Sequence, residues 1–177
     1  MASTTFSLPE DFLSGPAPNL TREDINWVTE GMFRLQGSIA IVLDGVLSPE
    51  ECDTLITAAE STTGGQWERA MVNVGGGQQA MSENIRKCGR IIWDNPELVQ
   101  KLWARIEAAV PEVVVLDNQP DITGKGAVKR KELWKATRLN ERMRFLKYTG
   151  GEYFRSAYLL PICKNLRRLT LNSTHGW

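Results

Sequence analysis

The chain has 177 residues, 42% of them hydrophobic and 24% charged, with 21 basic residues against 21 acidic ones. That is the composition of one globular domain with a sizeable core, and it excludes a disordered or low-complexity protein. A net charge of zero gives no reason to expect a polyanionic partner such as nucleic acid, and no apolar run approaches the roughly 18 residues that a membrane span requires.

Cys52, Cys88 and Cys163 are isolated and odd in number, a pattern that fits a reducing compartment better than a disulfide framework. The N-terminus lacks a basic stretch followed by an apolar run, so no secretory signal is read and the expected location is cytoplasmic or nuclear.

Residues 1–36 contain Pro9, Pro16 and Pro18 with little hydrophobic periodicity, and they read as a loosely ordered leader. Ser38-Ile-Ala-Ile-Val-Leu-Asp44, bounded by Gly37 and Gly45, suits a strand. Ser48-Pro-Glu-Glu51 has the form of a helix start, with Ser48 and Glu51 able to satisfy each other's amides and Pro49 at the first helical position. Cys52, Leu55, Ile56 and Ala59 then recur at helical spacing to about Ser61, predicting a stripe laid on a sheet.

Gln66–Val74 has strand character, Gly75-Gly-Gly77 demands a turn or a flexible loop, and Cys88–Trp93 predicts another strand. A second helix is expected from Asn95-Pro96 through Leu98, Val99, Leu102, Trp103, Ile106 and Val110, ended by Pro111. Residues 117–131 are polar and read as a loop that closes on the solvated charge run Val128-Lys-Arg-Lys131. Trp134–Leu139 and Arg142–Tyr148 are strand candidates. In the second, Met143 and Phe145 alternate with Arg142 and Arg144, the period of a half-buried strand. Gly150-Gly151 then predicts a tight hairpin with a return strand at Tyr153-Phe154. Strands and two helices early, followed by strands alone, give an α+β class.

Tyr148-Thr-Gly-Gly-Glu-Tyr-Phe154 has the form Tyr-x-x-Gly-x-x-Phe and follows the strand Leu139-Asn-Glu-Arg-Met-Arg-Phe-Leu-Lys-Tyr148. Together with Leu43–Cys52, Asn84–Asp94 and the Leu102–Ile106 helix, in that order, it resembles the prolyl 4-hydroxylase-like branch of the iron(II) and 2-oxoglutarate dependent dioxygenases over residues 38–155. The resemblance implies an incomplete double-stranded β-helix, or jelly roll, with two supporting helices in residues 37–155. It implies iron(II) and 2-oxoglutarate as cofactors, with ascorbate as a possible third, and a protein or peptide substrate hydroxylated on a side chain. Tyr148 corresponds to the tyrosine that hydrogen-bonds the 2-oxoglutarate carboxylate.

In that family the motif runs into His-x-Asp, which supplies two of the iron ligands. The corresponding positions here hold Ala157 and Leu159, and the chain's single histidine is His175. A site that needs two imidazoles and a carboxylate is not assembled from these residues. Neither a catalytic residue nor a metal ligand is therefore assigned, and the chain is expected to bind none of these cofactors productively. From Ser156 onward nothing matches the family, so residues 156–177 read as an unrelated, disordered tail, as a translated intron or a frameshift would leave. The expectation is a truncated family member, inactive as it stands. The alternative is a catalytically silent protein-binding or scaffold module.

Overall fold

A computed structural model describes residues 6–155 and the backbone of residues 170–174. In chain order the elements are β1 (Thr21–Asp24), β2 (Ile41–Asp44), α1 (Pro49–Ser61), β3 (Glu68–Arg69), β4 (Val72–Gly75), β5 (Gln78–Ala80), β6 (Arg86–Lys87), β7 (Gly89–Asp94) and α2 (Pro96–Ile106). There follow α3 (Pro111–Val114), β8 (Val115–Leu116), α4 (Pro120–Thr123), α5 (Lys125–Lys129), β9 (Leu133–Arg138), β10 (Arg142–Lys147), β11 (Tyr153–Phe154) and β12 (Thr170–Thr174). Among the described residues these form five small sheets, all with antiparallel pairing, and five helices, so the chain is mixed α+β.

Both long helices begin with a proline at the first helical position, where a missing N–H costs nothing. Their burial follows helical spacing. Leu55, Ala58 and Ala59 are buried on α1, and Leu98, Val99 and Trp103 on α2. The α1 stripe is displaced from the expected one: Ile56 is 44% exposed and Ala58 takes the inward position. Ala58 and Ala59 leave room for close approach, whereas a branched side chain at position 58 would not.

Pro111 does not end the second helix. α2 stops at Ile106, a single 3-10 turn covers Glu107–Ala109, and Pro111 opens the short helix α3. Residues 117–131, expected as loop, hold the one-turn helices α4 and α5, separated by Gly124 at φ +90°. Neither turn is long enough to show a hydrophobic period, which is why none is visible in the sequence.

Two units are distinguished by their internal contacts, each assembled from separate stretches of chain. The first takes residues 50–96 and 141–155, with a short N-terminal stretch. Its largest sheet has the order β10-β7-β3. Ile91 at 1% and Cys88 at 1% exposure are its most deeply buried large side chains, and Trp93 and Phe145 lie with ring centroids 6.3 Å apart. Strand β10 keeps the expected alternation, with Met143 and Phe145 half-buried and Arg142 and Arg144 exposed.

The second unit takes residues 11–49 and 97–140, with β12. Its core joins Trp103, Val110 and Ala136, with Ile41, Leu43, Ile106, Val113, Val114 and Leu139 packed around them. Strands β8 and β12 flank β9, so residues 170–174, which the sequence placed in the tail, pair their backbone with the sheet.

The proline-bearing N-terminal segment is tied to this unit by cations. Lys101 Nζ donates to the Phe12 carbonyl at 2.9 Å, and the Arg105 guanidinium donates to the carbonyls of Gly15 and Val46. Arg22 bridges Asp24, Glu112 and the Ala109 carbonyl. Leu13 is 3% exposed, and β1 pairs with β2 over four residues.

No helix among the described residues is long and apolar enough to cross a membrane.

Candidate functional site

The segment that carries the family resemblance lies along the first unit's sheet. Strand β10 runs antiparallel to β7, from Arg142 opposite Asp94 to Lys147 opposite Gly89. Strand β11 then pairs with β6, Tyr153 opposite Lys87 and Phe154 opposite Arg86. Between those contacts the chain passes through residues 148–152 while the partner side advances through Cys88 alone.

This corrects the expected hairpin. Tyr153 and Phe154 do not fold back on β10; they continue in its direction but pair with β6, in a separate two-stranded sheet. A two-residue hairpin of type I′ needs positive φ at both central residues, and one of type II′ needs it at the first. Gly151 has it, at +79°, and Gly150 does not. The paired glycines therefore make a looped excursion that leaves the sheet of β10 and leads into the β11-β6 pair.

The excursion is closed by its own polar groups. The Glu152 amide donates to the Thr149 carbonyl at 2.8 Å, and the Glu152 carboxylate accepts from the Thr149 amide at 3.0 Å. Arg69, on β3, forms an ion pair with the same carboxylate and a longer one with Glu83 at 3.6 Å. The Thr149 amide first, and the Arg69 guanidinium second, hold Glu152 down to a pKa of about 2 against the opposing effect of burial. Tyr153 donates its hydroxyl to the Glu83 carbonyl at 2.9 Å, and the Arg86 guanidinium lies 4.8 Å from the centre of the Phe154 ring.

Tyr148, the residue matched to 2-oxoglutarate binding, sits where the excursion begins and is 46% exposed. Ala157, Leu159 and His175 lie outside the described residues. The donor set that iron of this class requires does not fit what is described. Residues 6–155 contain no histidine, and among the described residues no three His, Cys, Asp or Glu side chains converge. No chemical step is derived through that metal.

Sequence reasoning missed Arg90. It stands between Gly89 and Ile91 on β7, directly opposite Glu68 of β3, and is the buried charged residue of this sheet, at 4% exposure. Its Nε donates to Glu68 Oε1 at 2.9 Å and its Nη1 to Gln79 Oε1 at 3.2 Å. The one available signal was an arginine inside an apolar strand, a position that a cation occupies only when paired.

No protein-family model, curated protein or solved structure matches the chain.

Proposed function

We propose that residues 38–155 form the front part of a prolyl 4-hydroxylase-like iron(II) and 2-oxoglutarate dioxygenase domain. Its ligand positions are replaced by Ala157 and Leu159, so the chain does not turn over 2-oxoglutarate. The observation that carries the reading is the excursion from Tyr148 to Phe154. Gly151 of the Tyr-x-x-Gly-x-x-Phe motif is the residue whose positive φ the turn requires, and Phe154 then pairs with Arg86 of β6, the strand that precedes β7 in the chain. The order of elements agrees, with a proline-started helix, the β7 strand, a second proline-started helix and then β10.

In this reading the fold is an incomplete jelly roll, and a family member with His-x-Asp at positions 157 and 159 would hydroxylate a protein or peptide side chain. Cys52 and Cys88 remain thiols, in keeping with a reducing compartment, cytoplasmic or nuclear.

The test is a turnover assay on the 177-residue chain. Incubated without oxygen in iron(II) and 2-oxoglutarate, the chain gives none of the weak visible charge-transfer absorption of that complex. With oxygen it forms no succinate above a protein-free control. Succinate formation overturns the proposal.

A further inference from the structure

The first unit contains a cleft of about 400 Å3 bordered by Thr63, Gln66, Trp67, Glu68, Arg90 and Ile92. That volume is within the range of sites for small molecules, roughly 300–1,000 Å3. The Arg90 side chain in its wall is 5% exposed, whereas the side chain of Glu68, its counter-ion, is 55% exposed.

The asymmetry has a direct consequence. Arg90 is fixed in place, since its Nη1 also donates to Gln79 and a desolvated guanidinium does not leave its partners cheaply. Glu68 already stands half in water, and rotation about its side-chain bonds can carry its carboxylate away from Arg90. Glu68 Oε1 accepts from Nε at 2.9 Å and lies 2.9 Å from Nη2, so it occupies the edge of the guanidinium that a ligand carboxylate would take. A carboxylate that approaches along the cleft can take the two parallel bonds for which the guanidinium is shaped. Trp67 and Ile92 then offer apolar wall to an aliphatic body.

We infer that this cleft binds a small aliphatic carboxylate against Arg90, and that Glu68 holds the ligand's place in the free chain. The site is independent of the oxygenase reading and stands or falls separately from it.

The test is a titration of the full chain with butyrate, followed by the side-chain N–H resonances of Trp67 and Arg90, with butyramide and inorganic phosphate as separate arms. Saturable shifts are expected with butyrate and none with butyramide, its uncharged counterpart. Glu68→Gln removes the internal competitor and keeps Arg90 in place. It is expected to tighten butyrate binding on the order of tenfold, the worth of one displaced charge-assisted hydrogen bond. Arg90→Lys, which cannot form the fork, is expected to lose the response. Should Arg90→Lys not fold, Glu68→Gln decides alone. Equal butyrate affinity in Glu68→Gln and the parent chain, shifts of equal size with butyramide, or saturation by phosphate in place of butyrate overturns the assignment.

Discussion

Gly151 and Gly150 are neighbours with different obligations. Gly151 sits at φ +79° with open space where a Cβ would be, so Gly151→Ala meets no atom and its cost is the strain of a side chain at positive φ. Placing an L-residue in that region costs roughly 1–2 kcal/mol. Gly150 has neither the positive φ nor a close neighbour, and Gly150→Ala is expected to be neutral or slightly stabilising. Paired denaturant melts of the two variants check the excursion directly, because a tight hairpin on both glycines would make them equally harmful.

Gly45 is a harsher case. Its φ is +66° and an added Cβ would lie 2.2 Å from the Asn19 carbonyl oxygen, so Gly45→Ala has to move backbone as well as strain it. It is expected to lower the midpoint of unfolding well beyond Gly151→Ala.

Glu152 adds a pH-dependent term at the same scale. Its folded pKa of about 2 lies below the ordinary 4.5, so the folded state favours the ionised form. The stabilisation is complete above about pH 4.5 and is lost as pH falls toward 2. Glu152→Gln removes the group that titrates. The stability difference between the parent and this variant is expected to shrink steadily through that window, and a constant difference from pH 5 to pH 2 contradicts the Thr149 and Arg69 contacts.

Among elements, α2 matters most to the second unit. Trp103 is 3% exposed at the centre of its core, and Trp103→Ala is expected to cost about 3–5 kcal/mol by loss of burial and the cavity left behind. Thermal or denaturant unfolding measures it. On a domain stability of roughly 5–15 kcal/mol, that is a large fraction.

Strand β10 is an edge of its sheet among the described residues, hydrogen-bonded to β7 on one side. Along residues 142–147, alternate amides are expected to exchange quickly and the others slowly. Uniformly slow exchange would mean that a further strand covers the outer edge. The exposed Arg142 and Arg144 are charges of the kind that discourage such an edge from pairing with other chains.

At the level of the whole molecule, what could be read from sequence divides along a physical line. α1, α2, β7 and β10 were legible because each combines a start or stop residue with several apolar residues at its own period, as Ser48-Pro49 and Met143-Phe145 do. The single turns at Pro120–Thr123 and Lys125–Lys129 were not, because one turn has no period to read. The glycine pair announced a turn but not the strand that would receive the chain afterwards. That depends on β6 and β7, some sixty residues earlier, and no local signal carries it. Arg90 was overlooked for a related reason, since its counter-ion is close across the sheet and 22 residues away along the chain.

The proposed reading of residues 38–155 as an oxygenase front half requires that they support a family continuation after Arg155. A chimera in which Ser156 onward is exchanged for the second half of a prolyl 4-hydroxylase-like enzyme, including His-x-Asp and the later histidine, tests it most directly. The measurement is iron(II)-dependent conversion of 2-oxoglutarate to succinate. Conversion above that of the unaltered chain is expected, reduced when Tyr148 is changed to Phe. A chimera that folds yet fails to bind iron(II) would contradict it.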